Sequence, residues 1–143
     1  IYTMLDRSGI RLEAKPFAMG VRIEHPQQLI NKIQYHNSDQ MEYLPAAAYS
    51  LVEQVAGRGV YSFCMCPGGF VVAAASEENA VVTNGMSYAD REGENANAAL
   101  LVTLNPKDFP SEDPSVVTTM PIVQCSSITF FVPSSAASVM GIS

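Results

Sequence analysis

What this chain lacks narrows it first. No basic cluster stands anywhere in its 143 residues, and the net charge is −6 with a pI near 4.7. Nucleic acids and anionic membrane surfaces need Lys and Arg to neutralise their phosphates, so neither is an expected partner. No apolar run approaches the roughly 20 residues that span a bilayer. The opening Ile1-Tyr2-Thr3-Met4-Leu5-Asp6-Arg7 lacks the basic-then-apolar order of a secretory leader, so a cytoplasmic location is expected. Charged residues are sparse at 15%, against 48% hydrophobic, which excludes disorder as a description of the whole. The length suits one ordinary domain with a real core.

Cysteine is scarce too. Three thiols, an odd number, argue against a disulfide framework and suit a reducing compartment. Cys64 and Cys66 stand two apart. In an extended strand their Cα atoms lie roughly 6.5–7 Å apart, at or beyond the usual disulfide span, so pairing them needs a bent strand. Cys125, His25 and His36 show no zinc-like spacing to them, and no metal site is expected. Charge itself runs out: all 8 basic and 14 acidic residues precede Pro114, and 114–143 carries none. That shift of composition marks a boundary.

The residues that are present spell short elements separated by turn signals. Ile1 to Ser8 reads as the end of a helix closed by Gly9. Phe17 to Glu24 alternates, with Phe17, Met19, Val21 and Ile23 on one face of a strand. Pro26 opens a helix over Gln27–Tyr35, which carries Leu29, Ile30 and Ile33 at helical spacing and is bracketed by His25 and His36. Ala46–Val55 reads as a strand or a short helix, the alternation of Tyr49, Leu51 and Glu53 slightly favouring strand, and Gly57-Arg58-Gly59 leads out of it. Val60–Ala75 is predicted to be a hairpin turning at Pro67-Gly68-Gly69, with Tyr61, Phe63 and Met65 on its buried face. Its tip would carry two thiols beside exposed backbone N–H groups.

Ser76–Asn79 follows as an exposed turn and Ala80–Thr83 as a short strand. Asn84-Gly85 is a turn signal. Asp90, Arg91, Glu92 and Glu94 sit in a solvated loop over Ala89–Asn97. Ala98–Leu104 is a further strand, and Ile128–Val132 a candidate buried one. No alternating βαβ pattern appears. The fold class is therefore α+β, mostly antiparallel sheet with one or two short helices.

Three of these stretches resemble signatures of one bacterial flavoprotein family. They are Glu13–Gln27, Gly57–Gly69, and Asn84–Tyr88 followed by Glu94–Leu100. Members are described as FAD-dependent oxidoreductases or NAD(FAD)-utilizing dehydrogenases, and the likeness covers about Ile1 to Asp113. It implies an internal piece of a longer enzyme. Residues 1–9 would end a helix of a missing nucleotide-binding half, 10–113 would form a β-rich domain capping the flavin, and 114–143 is an atypical tail. No Gly-x-Gly-x-x-Gly occurs, so the pyrophosphate cradle is absent and this chain alone should not hold FAD tightly.

By the same resemblance, the Cys64–Gly69 tip would face the isoalloxazine ring of FAD. Cys64 and Cys66 would be redox thiols or proton donors, in a setting that favours thiolate. Pro67, Gly68 and Gly69 would bring backbone N–H groups to the cofactor, with Asn84 and Ser87 adding hydrogen bonds. The partners implied are the FAD-binding halves of the parent chain and a small-molecule substrate of unknown identity. Homo-oligomers through exposed sheet edges are a further expectation. The alternative is a stand-alone β-rich binding module in which the cysteines and glycines are structural.

Overall fold

The computed structural model describes residues 2–36, 43–75, 82–109 and 129–131. Their elements run α1 (Tyr2–Arg7), β1 (Phe17–Pro26), α2 (Gln27–Tyr35), β2 (Val52–Val55), β3 (Arg58–Ala73), β4 (Thr83–Ser87), β5 (Asn95–Leu104), a 3₁₀ turn (Pro106–Asp108) and β6 (Thr129–Phe131). One sheet takes the order β2-β3-β5-β1-β6, with β4 also on β3. Every pairing is antiparallel except that of β6 with β1. The α+β expectation holds.

The alternation of Phe17–Ile23 forms β1, in unbroken register with β5 from Phe17↔Leu104 to Pro26↔Asn95. Pro26 ends this strand and caps α2 rather than opening it. α2 spans the predicted residues and closes on His36 in the left-handed region, whose N–H donates to the Lys32 carbonyl. Gly9, at φ +70, closes α1 as expected.

The predicted hairpin at Pro67-Gly68-Gly69 does not form. Val60 to Ala73 belongs to a single strand, β3, whose register with β5 shifts between Phe63 and Cys66 and again between Cys66 and Gly69. Each shift sets two residues of β3 against one of β5, which defines a β-bulge. Pro67, with no N–H for the ladder, is tolerated at the second bulge. The expected buried face does not hold either: Phe63 is 56% exposed, while Tyr61 and Met65 are half-buried.

The reversal of the chain occurs earlier. Ala56 and Gly57, both at positive φ, link Val55 to its partner Arg58 in the two-residue loop that strand twist favours. Only Val52–Val55 of the expected 46–55 strand pairs. Asn84-Gly85, expected as a turn, lies inside β4 opposite Val72 and Val71. The expected turn at Ser76–Asn79 falls outside the described residues, as do the side chains of β6.

Arg58 ties the start of β3 to the 3₁₀ turn after β5 through two hydrogen bonds to Asp108, at 2.6 and 2.7 Å. That guanidinium, helped by the Asn105 N–H, holds the Asp108 carboxyl well below the usual range. Among the described residues the buried apolar side chains are mostly small: Ala47, Ala96, Ala98 and Ala99 join Ile30.

Glycine marks the tight crossings. A Cβ on Gly68, at φ +51, would overlap the Arg91 carbonyl, whereas Gly57, at φ +76, has open space and Gly59 has neighbours no closer than 3.6 Å. Alanine scanning should therefore rank these sites. Gly59→Ala should be near neutral and Gly57→Ala should cost about 1 kcal/mol for the left-handed backbone. Gly68→Ala should cost roughly 3 kcal/mol or more, since backbone must move as well. Urea midpoints of the three variants check the order.

Candidate functional site

The strand pairings put Arg22 beside Ala99 and set Asn97 opposite both Glu24 and Cys66, so Arg22, Asn97 and Cys66 share one face of the sheet. Arg22 is 3% exposed and Asn97 wholly buried. The Arg22 Nη1 donates to Asn97 Oδ1 at 2.7 Å and to the Cys64 carbonyl at 3.3 Å. Among the described residues no carboxylate pairs with this guanidinium; the ion pair found there is Arg58–Asp108. Arg22 Nε and Asn97 Nδ2 are buried with no hydrogen-bond partner among the described residues. A buried cation left with spare donors is costly unless something else meets it.

Gly85 lies directly over this group. A Cβ there would run into Asn97 Oδ1 and Arg22 Nη1 and press to 3.0 Å of Cys66 Sγ. This close approach explains why Asn-Gly sits inside a strand: only glycine lets β4 cross the cluster. Asn84 is exposed, and its Oδ1 accepts the Gly85 N–H at 2.8 Å. Ser87 is half-buried opposite Gly69.

The first bulge presents the cysteines. Cys64 is exposed and takes φ +47, a left-handed conformation rare outside glycine. Its carbonyl accepts from Arg22 and also from the Cys66 thiol at 3.2 Å. Cys66 is half-buried, and burial pushes its thiol up. The nearby Arg22 charge opposes that shift without cancelling it. The thiolate-favouring setting expected for Cys66 is thus not what the fold supplies.

Pro67, Gly68 and Gly69 are buried, which corrects the exposed tip. The Gly68 N–H is already committed to Gln27 Oε1 at 2.7 Å. Gly68 and Gly69 pack against the backbone of Arg91 and Met86, so their missing side chains serve this chain's own crossings. Gln27, buried at the start of α2, also donates through Nε2 to Asn31 Oδ1 and the Ala47 carbonyl. It ties α2 to the second bulge.

Sequence reasoning missed Arg22, Asn97, Gln27 and Gly85. The available signal was small residues crowding one segment, Asn95-Ala96-Asn97-Ala98-Ala99, beside a lone arginine in an apolar strand. His25 is buried on the other face. Its ring lies 5.5 Å from that of Tyr49, its Nε2 has no partner among the described residues, and burial lowers its pKa. Burial likewise pushes the Tyr49 hydroxyl up to about 12, against the pull of Arg22.

The His25 shift has a defined sign. A histidine held neutral in the fold binds its proton more readily when unfolded, so stability rises with pH between the two pKa values. Stability from this group should be complete above pH 6.5 and drain away as pH falls below it. Urea midpoints taken on either side of that value should show the slope, and His25→Gln should flatten it.

Among the described residues no helix is long and apolar enough to cross a membrane. No three His, Cys, Asp or Glu side chains converge there as a metal site. Compared with known proteins, a relative from Clostridium beijerinckii (strain ATCC 51743 / NCIMB 8052), called "Uncharacterized protein", is 57% identical over 115 residues. That match takes in 79% of this chain, and the chain spans only 22% of the relative's length. Residues 16–124 match a family described as "FAD-dependent protein, C-terminal domain-like", a match reaching into the charge-free segment. With most of its length matched, the chain belongs to this family of FAD-dependent proteins.

Proposed function

We propose that this chain is the β-rich domain covering the flavin and substrate site of a longer FAD-dependent oxidoreductase of the dehydrogenase type. One observation carries the reading: a buried guanidinium with no carboxylate partner among the described residues, set beside an exposed thiol in a chain of an FAD-dependent family. The chemistry of the cluster fits the cofactor. A flavin presents carbonyl oxygens along its pyrimidine edge and gains negative charge on reduction. Arg22 offers a fixed cation, and Arg22 Nε and Asn97 Nδ2 are unspent donors. When bound, the flavin would supply the hydride chemistry.

The chain's own residues then do three things. Arg22, shielded from water, sets a positive potential at this face that is stronger than a surface charge could make. Cys66, its pKa raised by burial, keeps its proton at neutral pH and can give it up at Sγ. Cys64 supplies the exposed thiol. Asn84 and Ser87 stand on β4 as flanking polar groups. The nucleotide's pyrophosphate would be held by the FAD-binding segments of the longer protein, since this sequence carries no Gly-x-Gly-x-x-Gly.

Those segments are also the partners proposed for the apolar surface left open on β2 and β3. Val52 is 80% exposed there, beside the exposed Leu51, Val55 and Phe63. In this reading residues 1–9 and 10–113 keep the roles expected from sequence, while the family match to residue 124 and the pairing of β6 with β1 favour counting part of 114–143 with the domain.

The full-length protein carrying this domain tests the reading. It should purify yellow and release FAD on denaturation. Arg22→Gln should retain the flavin but lower its midpoint potential by roughly 20–40 mV. That matches loss of about 1–2 kcal/mol of interaction with a nearby cation at an effective dielectric of about 20. A colourless protein that takes up no FAD sinks the proposal. A flavin whose potential ignores Arg22 removes that residue's role.

A further inference from the structure

A Cys-x-Cys in a flat strand is a poor disulfide. Its Cα atoms lie roughly 6.5–7 Å apart, against an upper limit of about 6.8 Å for the bond. β3 is not flat where these cysteines sit. The register shift between Phe63 and Cys66 inserts an extra residue, and Cys64 takes φ +47. A left-handed conformation is strained for a non-glycine residue, so neighbours must hold it. Two hydrogen bonds converge on the Cys64 carbonyl, from Arg22 Nη1 at 3.3 Å and from the Cys66 thiol at 3.2 Å. The second folds the Cys66 sulfur back onto the Cys64 peptide.

Both cysteines are free thiols, and their exposure differs: Cys64 is exposed and Cys66 half-buried behind it. We propose that the bulge makes Cys64 and Cys66 a dithiol–disulfide pair that reduces small organic disulfides, Cys64 attacking and Cys66 resolving. The Cys64 thiolate attacks one sulfur of the substrate, forming a mixed disulfide and releasing the first thiolate, which takes up a proton. The Cys66 thiol then attacks the Cys64 sulfur, its proton passing to the departing second thiolate, so that the internal disulfide forms and the second thiol leaves. Two thiols of the protein lose two electrons and two protons, and the substrate's S–S bond becomes two S–H groups. The exchange needs no flavin, so it stands or falls apart from the cofactor reading.

The full 143-residue chain with Cys125→Ser, incubated with oxidised glutathione and trapped with acid, tests the pair. Intact mass should show loss of two hydrogens with no glutathione retained. Peptide mapping should join Cys64 to Cys66, and two glutathione thiols should appear per chain. Adding Cys66→Ser should arrest the reaction with one glutathione held on Cys64. Adding Cys64→Ser should abolish the fast reaction. If the chain with both cysteines instead keeps one or two glutathiones and forms no internal bond, the proposal is overturned. An unreacted chain overturns it equally. Circular dichroism of each variant separates lost chemistry from lost fold.

Discussion

The guanidinium of Arg22 is the constraint around which the sheet is arranged. A cation withdrawn from water must be met by acceptors, and here they are Asn97 Oδ1 and the Cys64 carbonyl. Asn97 is in place because β5 pairs with β1 in perfect register. The Cys64 carbonyl is in place because β3 bulges towards it. Remove the charge, and neither the left-handed backbone at Cys64 nor the glycine roof at Gly85 has an evident cause.

Around this polar centre the packing is unlike that of an ordinary small domain. The most buried side chains among the described residues include Arg22, His25, Gln27 and Asn97, while the apolar ones are mostly alanine. Larger hydrophobics such as Val52, Phe63, Met86 and Tyr88 remain substantially exposed. Small residues let strands and cluster approach closely, but they bury little apolar area. A sheet built this way gains stability when other surfaces cover it, which agrees with a chain that spans 22% of a longer relative.

The glycines belong to the same design. Gly20 faces the Leu100 carbonyl, Gly69 that of Met86, and Gly85 the Arg22–Asn97 pair, each too near for a side chain. A reader of the sequence sees Gly-Gly and Asn-Gly and expects turns, because turns are their commonest use. Close crossing of strands is the other use, and it leaves no separate mark in the letters.

Local chemistry determined a good deal by itself. The alternation of Phe17–Ile23 and the helical spacing of Leu29, Ile30 and Ile33 specified β1 and α2, because period and burial are written along a continuous stretch. The family was legible in three motifs for the same reason. Cys64 and Cys66 were visible as chemistry. What only the tertiary structure decided was which residues meet. Arg22 and Asn97 are 75 positions apart in the chain, and one inserted residue at each bulge reverses which face a side chain takes. No local pattern encodes such a count; it is settled only when β3, β5 and β1 pair and the buried charge finds its acceptors.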